Sequence, residues 1–321
     1  MPTIDEKRVY DATTGATRAL LATGVGVVAV SVSDDIVGEF GIDHQCTAHD
    51  AAASRTADGD SLLAVATDGD VLVGDYDPTG HGPATAVGGD TEATVLAAAP
   101  DGTVSRLVGE LNEGDREATK EGSETAEGHE SEERADASGA TWQTVGTVTE
   151  PRAIDGRLIA GSDGLHRVRD GTLESVGLSD AHDVVAHPVP YAATATALYS
   201  LGNGWQTVLH GEFRAVAAGS DGDRIAAATP EAVYTRGGPW SGDRVDSTEE
   251  GATPGEVASA CSWQRHAESG VVALAVAGDS LLAVTASGSL RVTVGDGWRG
   301  RRHAVLSVSQ FFRRGSIGKG L

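Results

Sequence analysis

The chain has 321 residues, enough for one large β domain or two smaller domains. Its 47 acidic and 24 basic residues give a formal charge of −23, and only three of the basic residues are lysines. This balance argues against binding DNA through its phosphates, which needs clustered Lys and Arg. At about 1 M salt the Debye length falls to ~3 Å, so the self-repulsion of such a chain is screened. We therefore expect a halophilic protein.

The N-terminal stretch "MPTIDEKRVY" lacks the apolar core of a signal peptide. The longest apolar run, "LLATGVGVVAV" at 20–30, is shorter than the roughly 20 residues that a spanning helix needs. Cys46 and Cys261 are too few for a disulfide framework. These observations predict a cytoplasmic protein that does not bind membranes.

From residue 19 onward the chain repeats one pattern: an apolar run, a corner of two or three residues, and an alternating run. This is typical of a β-hairpin, because corner Gly, Asn and Asp tolerate the positive φ of hairpin turns. Six corners contain Gly26, Gly69, Gly102, Gly164, Gly204 and Gly288, and a seventh uses Pro230 and Glu231. The seven corners recur on average about every 44 residues, a spacing typical of four-stranded propeller blades. We predict an all-β fold in which residues 1–321 form a single β-propeller of six to seven blades.

A polar element precedes several of these hairpins: "AHD" at 48–50, "PR" at 151–152, "AHD" again at 181–183, and "FR" at 213–214. Small residues follow each one, as expected where innermost strands crowd around an axis. The alignment places Asp50, Arg152, Asp183 and Arg214 in one column at a mouth of the central channel, flanked by His49 and His182. The column is interpreted either as a binding site for a polar or zwitterionic ligand or as an ion-pair ring that fixes blade register.

The segment 109–139 breaks the repeat, with 11 acidic and 3 basic residues and Leu111 as its one large apolar side chain. It has too little to bury to offset the entropy of ordering. We predict a disordered acidic loop within the third blade, followed by a strand over 141–148. A second, shorter loop is expected over 242–256. We also expect residues Ile4–Tyr10 to pair with the last blade and close the ring.

Motifs for cofactors are weak. "GVGVVAV" lacks the third Gly and the βαβ setting of a dinucleotide site, and neither a phosphate-binding loop nor a Gly-x-Ser-x-Gly elbow is present. His44, Cys46 and His49 are potential zinc ligands, as are Cys261 and His266. Alternation along one strand sends residues 44 and 46 to one face and residue 49 to the other. We expect neither a cofactor nor a metal.

The C-terminal segment 298–321 contains a quarter of all basic charge and no acidic residue follows Asp296. The segment is interpreted either as a docking element or as a last strand with a tail, 311–321, on the protein's own acidic surface. In the first case the aromatic residues anchor a partner and the arginines meet carboxylates or phosphates, so a protein partner is expected and RNA is the alternative. The docking candidates are Arg301, Arg302, Phe311, Phe312, Arg313 and Arg314.

The opening "TIDEKRVY", with "LLATGVGVVAVSVSDDIVGEFG" after it, resembles an uncharacterised family of haloarchaeal β-propeller proteins. The resemblance covers most of the chain and implies a fold without an activity. "GNGW" at 202–205 and "GDGW" at 295–298 are distantly similar to the Asp-box turn of sialidase and photosystem-assembly-factor propellers, although no complete Asp-box string is present. Trp205 and Trp298 are expected to pack between blades.

These features predict a non-enzymatic binding or scaffold propeller that acts through the channel mouth or the basic tail. The alternative is a hydrolase or lyase with a polar site at the mouth. Sialidase-type hydrolysis is disfavoured, because none of the five tyrosines follows or precedes an evident Glu partner.

Deletion of residues 111–138 is predicted to leave cooperative unfolding of the core unchanged, because this segment has almost no apolar surface to bury. Denaturant unfolding of the deletion variant and the full chain, followed by circular dichroism in molar KCl, measures this. Loss of a single cooperative transition in the variant would contradict the prediction.

Overall fold

The computed structural model describes residues 17–33, 36–55, 61–89, 94–109, 140–220, 222–237, 243–245, 263–277, 279–295 and 297–302. These residues form seven antiparallel sheets that follow one another along the chain. The protein is a seven-bladed β-propeller, which confirms the predicted fold class. The predicted acidic loop, apart from Gly109, and the Ile4–Tyr10 segment lie outside the described residues.

The strands of blades 1 to 4 follow chain order outward from the axis, and those of blades 2 to 4 start with the innermost strand. Blade 1 contains β1 (Thr17–Thr23), β2 (Gly26–Ser33) and β3 (Ile36–His44). Blade 2 contains β4 (Ala48–Arg55), β5 (Ser61–Thr67), β6 (Val71–Val73) and β7 (Asp77–Pro78). Blade 3 contains β8 (Ala86–Gly89), β9 (Val95–Ala98), β10 (Thr103–Val108) and β11 (Thr141–Thr147). Blade 4 contains β12 (Ala153–Asp155), β13 (Leu158–Gly161), β14 (Gly164–Arg169) and β15 (Thr172–Gly177).

Blades 5 to 7 complete the ring. Blade 5 contains β16 (Ala181–Val185), β17 (Tyr191–Thr194), β18 (Ala197–Leu201) and β19 (Trp205–His210). Blade 6 contains β20 (Ala215–Ala218), β21 (Ile225–Ala228), β22 (Val233–Arg236), β23 (Asp243–Val245) and β24 (Trp263–His266). Blade 7 contains β25 (Val271–Ala277), β26 (Ser280–Thr285), β27 (Ser289–Thr293) and β28 (Arg299–Arg302).

Two sequence predictions need correction. Residues 243–245 do not belong to a loop: they form β23, which pairs with β24 as a fifth strand at the outer edge of blade 6. Gly204 lies in the turn between β18 and β19, whereas the corner of blade 5 that matches the other blades is Ala195–Thr196. Runs of mainly apolar residues, β17 and β18, precede both turns of blade 5, so the pattern alone did not separate them.

The second strand of most blades is buried on both faces. Every residue of β9, β13, β17, β21 and β26 is buried. A sheet that packs against a neighbour on each side has no solvent face, so its central strands read as continuous apolar runs without polar alternation. One apolar cluster joins Leu282 of blade 7 with Leu21 of blade 1 and Val65 of blade 2, which closes the ring.

In five blades a threonine at the end of the second strand, or directly after it, holds the corner that follows. In blade 5, Thr194 Oγ1 donates to the carbonyl of Ala197 (2.9 Å) and accepts the amide of Ala197 (3.1 Å). The same residue type occupies this position in blades 1, 2, 5, 6 and 7, as Thr23, Thr67, Thr194, Thr229 and Thr285. Because Thr23 ends β1, the three described strands of blade 1 correspond to the second, third and fourth strands of other blades.

Tryptophan marks the start of the fourth strand and packs against the preceding blade. Trp205 packs in the cluster shared by blades 4 and 5, and Trp298 in the cluster shared by blades 6 and 7, as predicted. Trp142 and Trp263 do the same at two further junctions. The strings "TWQTV", "GWQTV", "SWQRH" and "GWRGR" carried this signal in the sequence.

Candidate functional site

The sequence-predicted mouth residues all lie where innermost strands begin. Adjacent strands are antiparallel, so this end of each blade also carries the corner between its second and third strands. The linker from the fourth strand to the next blade arrives at the same end. Corners and linkers therefore surround the start of every innermost strand, and we call this end of the ring the mouth.

The predicted column is displaced by one residue. Asp50 pairs with Ala66 and Asp183 with Ala193, but the residues that pair at this level in blades 4 and 6 are Ala153 and Ala215. Arg152 and Arg214 instead align with the histidines, one residue earlier. This earlier position holds, in blades 2 to 7, His49, Thr85, Arg152, His182, Arg214 and Val272. A bulge at the start of β4 and β16 gives those two strands an extra residue opposite one partner, which displaced the alignment.

Asp50 and Asp183 connect neighbouring blades. One oxygen of each carboxylate accepts the amide of the following residue in its own strand, at 2.9 Å in both cases. The other oxygen accepts an amide from the innermost strand of the next blade: Val87 for Asp50 (3.0 Å) and Val216 for Asp183 (2.8 Å). These carboxylates hold backbone groups at the axis and do not pair with the predicted arginines.

Asp155 makes the same kind of contact between blades 4 and 5. Its carboxylate accepts the amide of Ala186 at 2.7 Å. Asp155 was not among the residues predicted from the sequence, although "AIDG" at 153–156 places it at the end of a short, otherwise apolar strand. An acidic side chain inside such a strand was the available signal.

Arg152 connects blade 4 to blade 5. Its guanidinium donates to Asp180 Oδ1 at 2.6 Å and to the Ala181 carbonyl at 3.3 Å. Glu150, in the linker of blade 4 itself, lies 3.7 Å from the same guanidinium. Arg152 therefore sits between an acid of its own linker and an acid of the next blade.

His182 and Arg214 continue the arrangement. His182 Nδ1 donates to the carbonyl of Phe213 in blade 6 at 2.8 Å, and its Nε2 lies 3.7 Å from Asp180. Arg214 turns to Glu212, with Nη2 at 2.7 Å from the carboxylate. In each of blades 4, 5 and 6 an acid thus precedes a base by two residues. We call the six residues the acid–base arc: Glu150, Arg152, Asp180, His182, Glu212 and Arg214.

His49 lies outside this arc, in blade 2. Its Nε2 is 2.5 Å from Oδ1 of Asp68, which belongs to the corner of the same blade. Of the six mouth candidates, Arg152 and His182 are therefore brought together by the shared Asp180. His49, Asp50, Asp183 and Arg214 each make separate contacts.

Two carboxylates at the mouth, Asp180 and Asp163, are held as anions. The hydrogen bond from Arg152 is the main reason that the pKa of Asp180 is lowered, and the charges of Arg152 and His182 add to it. Burial raises the pKa of Asp163, but hydrogen bonds from His166 and Thr149 outweigh this effect, and the net shift is downward. Both groups stay ionised at neutral pH and suit electrostatic contact better than proton donation.

The possible zinc ligands do not converge. The His44 ring stacks on Tyr76 at a centroid distance of 4.4 Å, Cys46 is a free, partly buried thiol, and His49 contacts Asp68. Burial raises the pKa of the Cys46 thiol, so the metal-binding thiolate is disfavoured. Within the described ranges, no three His, Cys, Asp or Glu side chains are grouped to hold a metal ion. Cys261 lies outside those ranges.

One tyrosine does meet a carboxylate, which sequence analysis missed. Tyr76 donates its hydroxyl to Asp43 at 2.6 Å, and Arg18 contacts the other oxygen of that carboxylate. The residues are 33 positions apart, so no local motif links them. Burial, followed by the contact with Asp43, raises the pKa of the Tyr76 phenol. A nucleophilic tyrosine needs the opposite shift, so the pair has a structural role.

The C-terminal candidates are only partly described. Arg301 and Arg302 belong to β28 at the outer edge of blade 7. Phe311, Phe312, Arg313 and Arg314 lie outside the described residues. No helix in the described part of the chain has the length and apolarity needed to cross a membrane.

Arg152→Gln is predicted to raise the pKa of Asp180 toward its ordinary value. Because the folded-state pKa of Asp180 is depressed, its contribution to stability is present above the ordinary pKa and is lost as pH falls through the folded value. An NMR titration of the Asp180 carboxyl carbon measures the shift. The carboxyl of Asp163 serves as the control and is expected to titrate unchanged. An Asp180 titration that is the same with and without Arg152 would show that the contact has no electrostatic effect.

Comparison with known proteins identifies the family of the chain. None of the curated proteins matches the chain. A family described as HVO_0234-like, beta propeller, matches residues 3–311, which is nearly the whole sequence. The match agrees with the seven sheets of the structure and includes every residue of the acid–base arc. The chain therefore belongs to the HVO_0234-like β-propeller family.

Proposed function

We propose that the protein is a non-enzymatic binding or scaffold propeller that meets a protein partner at the acid–base arc. The observation that carries this proposal is that two sets of charged residues at the mouth make different contacts. Asp50 and Asp183 are occupied with backbone amides of two blades, whereas the arc exposes charges of both signs. About half of the Arg214 and Glu212 side chains is exposed, at 52% and 45%. Such a surface favours contact with complementary polar groups of a partner.

The state of Asp180 supports binding over catalysis at this site. A hydrolase or lyase needs a carboxylate or imidazole that is free to exchange protons with a substrate. Asp180, beside His182, is held ionised and is already shared with Arg152. The catalytic alternative therefore rests on a different pair, His49 and Asp68, which are in direct contact and partly exposed.

A bait with Arg152→Gln and His182→Gln is predicted to lose most of the partner recovered by the wild-type chain from a lysate in molar KCl. The matched control carries Arg169→Gln and His187→Gln, the same changes in residue type, at the opposite end of blades 4 and 5. Equal recovery by arc variant and control would overturn the proposal. A hydrolytic activity lost with His49→Gln would instead support the catalytic alternative.

The basic C-terminal segment is a second candidate for partner contact. The observation that favours it is the charge asymmetry: six of the 24 basic residues lie in 298–321, after the last acidic residue. In the same recovery experiment, a chain lacking 313–321 distinguishes this surface from the arc. Ribonuclease treatment then separates a protein partner from RNA. The distant similarity to sialidase and photosystem-assembly-factor propellers stays a prediction of the sequence and adds nothing to either candidate.

We also propose that the protein works in a halophilic cytoplasm, on the basis of its charge of −23. The chain is predicted to unfold below about 1 M KCl, because its carboxylates then repel one another over a longer Debye length. Far-UV circular dichroism across a KCl series tests this, with sucrose at equal osmolality as the control for nonspecific stabilisation. A spectrum that stays unchanged at low salt would contradict the proposal.

A further inference from the structure

The junction between blades 6 and 7 repeats the geometry of the junction between blades 4 and 5. Arg152 and Arg214 begin their innermost strands in the same way. The Arg152 amide donates to the Ala160 carbonyl and the Arg214 amide to the Ala228 carbonyl, both at 2.8 Å. The two arginines are therefore equivalent positions of the repeat, and the residues that face them from the next blade can be compared directly.

The residue that faces Arg152 from blade 5 is Asp180, and its equivalent in blade 7 is Gly270. The amides of both donate to a corner carbonyl of the preceding blade: Asp180 to Ser162 (3.2 Å) and Gly270 to Pro230 (2.8 Å). Their carbonyls accept equivalent amides, from Ala195 (3.1 Å) and Ala286 (2.9 Å) respectively.

Both backbones are left-handed, with φ of 48° at Asp180 and 68° at Gly270. The two positions therefore differ in the side chain and not in the path of the backbone. Asp180 directs a carboxylate to the arginine of the preceding blade. Gly270 has no side chain to direct.

The space for that side chain is open. A Cβ atom built on Gly270 would meet no other heavy atom within 4 Å, outside its own chain neighbours. Without an acid opposite, Arg214 turns to Glu212 in its own linker, and 52% of its side chain is exposed, against 29% for Arg152. Blade 7 thus has no side chain at the acid position of the repeat, and the equivalent arginine of the preceding blade, Arg214, has an accessible guanidinium.

We propose that the space between Arg214 and Gly270, which we call the notch, binds a carboxylate supplied by a partner. The partner's carboxylate takes the place that Asp180 occupies at the junction of blades 4 and 5. This inference rests on the proposed function, because it names the chemistry by which a partner engages one end of the acid–base arc.

The surroundings of the notch select a carboxylate over a phosphate. Arg214 already forms an ion pair with Glu212, and Glu268 in the linker to blade 7 forms one with Arg291 at 2.8 Å. Glu212 already neutralises Arg214, so an added carboxylate leaves one net negative charge, as Glu150 and Asp180 do around Arg152. A phosphate, with a charge of about −2 at neutral pH, would leave more uncompensated charge. Arg152 shows that two carboxylates fit around one guanidinium here, at 2.6 Å and 3.7 Å.

The test uses the full chain in molar KCl and the Nα-acetyl amide of glutamate as the probe, with the corresponding glutamine compound as its uncharged control. The Arg214 Nε–Hε and Gly270 amide resonances are followed by NMR. We expect a saturable shift with the glutamate compound and at least a tenfold weaker response with the glutamine compound. Arg214→Gln is expected to abolish the shift.

Gly270→Asp and Gly270→Asn form the matched pair of variants, because both residues tolerate left-handed φ and only the first adds a charge. Gly270→Asp fills the notch and is expected to abolish the probe response, whereas Gly270→Asn keeps most of it. The Tm is also expected to be higher for Gly270→Asp than for Gly270→Asn when Arg214 is present, and equal for the two when Arg214 is glutamine. This second readout does not depend on the probe.

An equal response to both compounds, or an unchanged response in Gly270→Asp, would overturn the proposal that the notch binds a carboxylate. The partner-recovery experiment separates this failure from failure of the proposed function. If Gly270→Asp recovers the partner as well as Gly270→Asn while the arc variant does not, the arc binds the partner and the notch does not.

Discussion

The second strand of most blades is apolar on both faces, and so such a blade is stable only between two neighbours. The second strands β9, β13, β17, β21 and β26 are buried throughout, and apolar clusters run from one blade into the next. Burial of this kind has no preferred angle or register. Directional contacts are therefore needed to fix the angle and the register between neighbouring sheets.

Polar contacts between innermost strands provide that direction. Asp50, Asp155 and Asp183 each accept an amide from the following blade. At the mouth, Arg152 and His182 donate to carbonyls of the following blade. Hydrogen bonds depend steeply on distance and angle, so these contacts fix the register that apolar packing leaves free. Fixed register is also what makes positions in different blades comparable.

Comparison between blades is what reveals the candidate site. A repeat with a full set of contacts at one junction shows what another junction lacks. Arg152 has an acid in the next blade and Arg214 has Gly270 in the same place, with the same backbone contacts. At the mouth, the junction of blades 4 and 5 therefore has its arginine paired with Asp180. The junction of blades 6 and 7 has no acidic side chain at the same position. In a scaffold built from repeats, we expect a binding site where one blade differs from the others at an equivalent position.

The sequence by itself determined the all-β class, the blade period and the residues that begin the innermost strands, because these follow from local turn chemistry and apolar runs. It also placed Trp205 and Trp298 between blades. Tertiary structure decided the register of the mouth: bulges at β4 and β16 shift the alignment by one residue, and no local pattern shows a bulge. Only the folded ring could pair Arg152 with Asp180 and Tyr76 with Asp43, and only comparison of its blades aligns Asp180 with Gly270. The two contacts join residues 28 and 33 positions apart, and their geometry is set by how separate sheets pack, which the order of residues along one strand does not encode.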